Sequence, residues 1–127
     1  MDTKSLTKLE YTQVLERLKR YAAFSASEKL AHALRPSNDY RLAKDRLART
    51  SEARRLLSET NDISVGGARD IRPQVGLASR GGVLEVSDFM DIKATLEAAR
   101  ELGRFFNKME DGYPQLYRIT LNLVPPT

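Results

Sequence analysis

The 127-residue sequence contains no cysteine and no tryptophan and has a single histidine, His32. Without cysteine there is no disulfide and no thiolate metal site, and a reducing compartment is permitted. One histidine cannot supply a histidine-based zinc or iron site within one chain. No GxxxxGK[ST] loop occurs, so a Walker-type phosphate cradle is missing from these residues. The opening MDTKSLTKLEYTQ lacks the apolar stretch of a signal peptide. No run approaches the roughly 18 apolar residues that span a bilayer. A soluble, cytoplasmic chain without membrane partners is therefore expected.

Charge is plentiful at 30% of residues, with a formal net of +4, and it is unevenly placed. Residues 1–60 hold 13 Lys/Arg against 8 Asp/Glu, whereas the remainder holds 8 against 9. The front half is the candidate for contact with a polyanion, although the same residues describe the solvated faces of basic helices. Arg46, Arg49, Arg54 and Arg55 are the candidates for phosphate contact.

Helical periodicity dominates the chain. Tyr11, Val14, Leu15, Leu18, Tyr21 and Ala22 form one stripe. Ser25 and Glu28 have the spacing of a capping box opening a short helix that must stop before Pro36. Ser37 or Asn38 should cap a third helix with the stripe Tyr40, Ala43, Leu47, Thr50, Ala53 and Leu57. Ser87 should cap a fourth, with Phe89, Ile92, Leu96, Ala99, Leu102 and Phe106 on one side. Pro114 suits the first turn of a fifth, through Leu116 and Ile119. The expected fold is all-α: an irregular bundle of about five helices with a Gly-rich loop region. One or two short extended stretches fit between residues 62 and 86. Leu121, Leu123 and Val124 give the sequence an abruptly apolar end.

Catalytic constellations are weak. His32 falls on the polar side of its helix without an evident orienting partner, which leaves no Ser-His-Asp arrangement. Asp88 and Asp91 complement a helix dipole, and Glu110-Asp111-Gly112 reads as a turn. No catalytic, cofactor-binding or metal-ligating residue is assigned. The most distinctive stretch is Gly66-Gly67-Ala68-Arg69-Asp70-Ile71-Arg72-Pro73. Its glycines permit close backbone approach, and Pro73 ends or redirects the chain. Arg69, Asp70 and Arg72 could meet phosphates, but an inward salt-bridge knot fits better, because Asp70 would repel an anion. Gly81 and Gly82 mark a second break.

Six stretches, taken in order, resemble the start of the second bacterial branch of MutS-like proteins. They are Leu9-Glu10-Tyr11 with Leu15, Leu18 and Tyr21-Ala22; Leu34-Arg35-Pro36-Ser37; Thr50-Ser51-Glu52-Ala53; Leu56-Leu57; Gly67 to Pro73; and Arg80-Gly81-Gly82-Val83-Leu84 before Ser87-Asp88. The chain departs from that pattern at Leu77-Ala78-Ser79-Arg80, where the family commonly has an acidic residue, and at Asn61-Asp62-Ile63-Ser64. The resemblance implies that residues 1–127 are the N-terminal core and lever segment of a larger, dimeric, DNA-binding ATPase. Its clamp, its ATPase and often a nuclease domain would lie outside these residues. ATP and magnesium would be cofactors of that parent, and none is expected in this chain. Implied partners are the rest of the parent chain and branched DNA, in the suppression of homologous recombination, or the ribosome, in the splitting of collided ribosomes.

Overall fold

The computed structural model describes residues 2–61 and 63–123. Asp62 and Val124, which figure in the loop and apolar-end readings above, lie outside them. Among the described residues there are seven helices and no strand. In chain order they are α1 (Thr3–Lys8), α2 (Tyr11–Lys19), α3 (Ser25–His32), α4 (Tyr40–Glu59), α5 (Arg72–Ser79), α6 (Val86–Lys108) and α7 (Pro114–Thr120). The expected helices around residues 11–22, 25–34, 40–57, 87–106 and 114–119 are all present. The extended stretches are not, because α5 occupies the middle of that interval. The chain divides into two compact units, Met1–Arg46 and Leu47–Thr127.

In the first unit α1 begins at Asp2, whose Oδ1 accepts the Ser5 amide at 2.7 Å. Such a cap satisfies one of the amides that a helix start leaves without a partner. Glu10 then takes a left-handed conformation (φ 53°), which redirects the chain from α1 into α2. Only Leu15 of the α2 stripe becomes fully buried, at 3% exposure, while Tyr21 stands 88% exposed. The Tyr11 hydroxyl donates to the Leu34 carbonyl at 2.7 Å and fixes the segment after α3. His32 does have a partner, contrary to expectation: its Nδ1 lies 3.4 Å from Glu16 Oε1, with both side chains half exposed.

Three caps, those of α3, α4 and α6, fall elsewhere than the sequence pattern indicates. The N-cap of α3 is Phe24, in extended backbone, so Ser25 is already inside the helix and makes no side-chain cap. For α4 the capping group is Asp39, whose Oδ1 accepts the Arg41 and Leu42 amides at 2.9 and 3.2 Å. Ser37 acts one step back, accepting the Asp39 amide at 3.0 Å. Aspartate outcompetes the neutral candidates because its charge also complements the helix dipole.

The second unit is organised around Leu56, Phe106 and Tyr113, at 4%, 5% and 5% exposure, with Ile63, Leu102, Phe105, Leu116 and Tyr117 packed around them. The rings of Phe105 and Phe106 meet edge to face at 5.1 Å, and those of Phe106 and Tyr113 at 6.5 Å. This geometry suits the aromatic quadrupole. The expected α4 stripe is displaced by one residue: Leu56 is buried, whereas Leu57 is 66% and Leu47 68% exposed.

Pro73 stands in the first turn of α5 and so starts a helix instead of ending one. The Gly81 amide donates to the Ala78 carbonyl at 3.0 Å and the Gly82 amide to the Leu77 carbonyl at 2.9 Å. These two bonds make the Schellman closure that ends α5. Gly81 has φ +77°, the left-handed geometry that glycine adopts without penalty. At Gly82 an added Cβ would sit 2.3 Å from Leu77 Cδ1 and 3.0 Å from the Leu77 carbonyl oxygen. The α6 helix opens at Glu85 and not at Ser87, with Asp88 Oδ2 accepting the Glu85 amide at 2.9 Å.

Candidate functional site

Three charged residues of α4 converge on the corner between α6 and α7. Glu52, Arg55, Leu56 and Glu59 follow the i, i+3, i+4, i+7 spacing and share one helix face. The Glu52 carboxylate accepts the Gln115 amide at 3.1 Å and the Leu116 amide at 2.9 Å. It thereby caps α7, which has no side-chain cap of its own. Arg55 donates to the Gly112 carbonyl, and its guanidinium lies 4.9 Å from the Tyr113 ring centre. The Tyr113 hydroxyl donates to Glu59 Oε2. That bond, together with burial and the nearby carboxylate charge, raises the Tyr113 pKa above its ordinary value, opposed by Arg55. The three side chains and the apolar trio beneath them form a clasp between α4 and the corner.

The four arginines singled out for phosphate contact fall in both units. Arg46 lies in the first unit and donates to the Arg35 carbonyl at 3.2 Å. In the second unit, Arg54 and Arg55 lie about 140° and 240° around the helix from Arg49, at 100° per residue. They therefore point in three directions. Arg55 is engaged in the clasp, while Arg49 and Arg54 are exposed.

The Gly66–Pro73 stretch is sewn to α6 through Thr95. Its hydroxyl oxygen accepts the Arg69 amide at 2.9 Å, and the hydroxyl itself lies 2.8 Å from the Asp91 carbonyl and 3.3 Å from that of Arg69. A Cβ on Gly67 would be 3.7 Å from Ala98 Cβ, so this part of the stretch lies close against α6. Asp70 and Arg72 form a bidentate pair, Nε to Oδ1 at 2.7 Å and Nη2 to Oδ2 at 2.6 Å. The hydrogen bonds, and then the carboxylate charge, raise the Arg72 pKa. Arg69 is outside that pair: its guanidinium caps the Gly66 and Ala68 carbonyls at 2.9 and 3.0 Å.

Periodicity alone identified neither Glu59, Tyr113 nor Thr95, and Glu52 entered only through the family resemblance. The usable signal was the repeat of polar residues around Leu56, which a search for apolar stripes passes over. Among the described residues no group of three His, Cys, Asp or Glu side chains is placed to hold a metal ion. Among the described residues no helix is long and apolar enough to cross a membrane.

No protein-family model matches the chain, and no solved structure does. Curated relatives do. A protein named Endonuclease MutS2 from Symbiobacterium thermophilum is 38% identical over 116 residues, covering 91% of this chain and 14% of that protein. Proteins of the same name from Pelotomaculum thermopropionicum and Thermomicrobium roseum are 33% and 34% identical, each over 98% of this chain and 16% of their own length. The chain is thus similar, over nearly all of its own length, to proteins named Endonuclease MutS2, and it spans 14–16% of these relatives.

Proposed function

We propose that the chain is a structural lever segment of a MutS2-type protein, an ATPase and endonuclease that acts on branched DNA and suppresses homologous recombination. The observation that carries the reading is the clasp. Glu52, Arg55 and Glu59 are charged groups that could face substrate, yet all three hold α4 to the α6–α7 corner. Charge-assisted bonds to backbone and to a buried phenol set a fixed distance between helices, which a segment that transmits motion requires. The name endonuclease, carried by relatives about six to seven times as long, supports a parent whose chemistry lies in other residues. ATP and magnesium would be bound there, in a homodimeric parent, and this segment would couple nucleotide state to the grip on DNA.

The test uses the full-length polypeptide. Glu52→Ala combined with Glu59→Gln is expected to leave basal ATP hydrolysis intact and to reduce its stimulation by a four-way DNA junction several-fold. Unchanged stimulation, with the clasp shown to be lost by faster amide exchange in α7, would refute the lever role.

A further inference from the structure

We propose that a cleft in the first unit is a binding site for a short aliphatic carboxylate. The cleft has a volume of about 300 Å³, at the small end of ligand sites, and lies between α1, α2 and the end of α3. Leu6 and Leu15 give it an apolar floor, with Leu15 only 3% exposed. Thr3, Thr12, His32 and Arg35 supply a polar rim. The inference is independent of the lever reading, whose clasp lies in the second unit.

The charge of the lining has one sign. No aspartate or glutamate lines the cleft. Asp2 is engaged in capping α1, and Glu16 stands beside His32 without belonging to the lining. A neighbouring cavity of about 320 Å³ shares His32 but includes Glu28, so an anion there would meet a carboxylate.

Arg35 selects the ligand. Its Nη1 donates to the His32 carbonyl at 3.2 Å and to the Leu34 carbonyl at 2.9 Å, where α3 ends. The Leu34 carbonyl also accepts the Tyr11 hydroxyl at 2.7 Å, which ties this corner to α2. The guanidinium is thus held in place without a carboxylate partner among the described residues, and Nε and Nη2 remain as donors. That planar pair of N–H groups matches the two oxygens of a carboxylate. A donor fixed before the ligand arrives lowers the ordering cost of binding. The Thr3 and Thr12 hydroxyls add donors at the rim, and the leucine floor takes a short alkyl chain. An ammonium group would find no carboxylate in the lining, so the ligand class is a carboxylate without an amino group.

The test is saturation-transfer NMR of sodium butyrate with the polypeptide encoded by the complete gene. Saturable transfer is expected, strongest at the butyrate methyl, which lies on Leu6 and Leu15. Arg35→Met should weaken binding about tenfold or more, the scale of hydrogen bonds to a charged group. Leu6→Phe, which fills the floor and keeps the arginine, should also abolish the transfer, and it decides the matter should Arg35→Met fail to fold. The α-amino derivative of butyrate should not compete. Absence of saturable transfer, or transfer unchanged in both variants, overturns the site. Equal competition by the amino derivative, or displacement of butyrate by inorganic phosphate at equal concentration, overturns the assigned ligand class.

Discussion

Leu56→Ala and Leu57→Ala form a pair that separates the observed packing from the one read off apolar periodicity. Leu56 is 4% exposed and touches the Phe106–Tyr113 core, whereas Leu57, about 100° further round α4, is 66% exposed. Truncating a buried leucine costs about 2–5 kcal/mol, the spread reflecting how far the site collapses. Phe106 and Tyr113 beside Leu56 are buried, but the surrounding Ile63, Leu102, Phe105, Leu116 and Tyr117 are only partly buried and can relax inward, which places the loss near the lower end, about 2–3 kcal/mol. For a unit of this size 1 kcal/mol corresponds to roughly 4–8 °C, so the midpoint should fall by about 10–20 °C. Leu57→Ala should stay within about 0.5 kcal/mol, as for other surface substitutions. Thermal and urea unfolding followed by circular dichroism measures both. Should Leu57→Ala cost as much as Leu56→Ala, the assignment of the core face of α4 is refuted.

Four further outcomes follow from the geometry. Gly82→Ala should destabilise by about 1–3 kcal/mol, because the added Cβ meets Leu77 and the closure must shift. Gly81→Ala, with open space but φ +77°, should cost only the conformational penalty of about 1–2 kcal/mol, and urea titration ranks the two. Asp70→Ala should lower the unfolding midpoint by leaving Arg72 without its bidentate partner, and an unchanged midpoint would count against a bracing role for this stretch. Tyr113 has a folded pKa above its unfolded one, so its contribution is complete below the unfolded value and disappears as pH rises through the folded value. Tyrosinate absorbance should accordingly show a late-ionising phenol that is absent in Tyr113→Phe.

Much of the helical architecture was legible because helix periodicity and breakers are local properties. The five long or well-punctuated helices follow from their spacing, Pro114 marks α7, and Gly81-Gly82 marks the end of a segment. Short helices were not legible. Thr3–Lys8 has Leu6 as its single apolar residue, and Arg72–Ser79 is a two-turn helix with Gly76 inside it and little amphipathic contrast. Capping residues were displaced by one or two positions, because neighbouring residues near each helix start compete and the local backbone decides among them.

Composition and order alone determined that the chain is helical, poor in ligating residues and MutS2-like, since these depend on residue types and short-range spacing. Tertiary structure alone decided which face of α4 is core, that Arg55 grips a carbonyl and an aromatic ring, and that Glu52 caps a helix more than sixty residues away. Those contacts join residues far apart in sequence, and their partners are settled only when α4 meets the α6–α7 corner. Periodicity reports where a helix could bury apolar groups, whereas burial depends on what arrives to cover them.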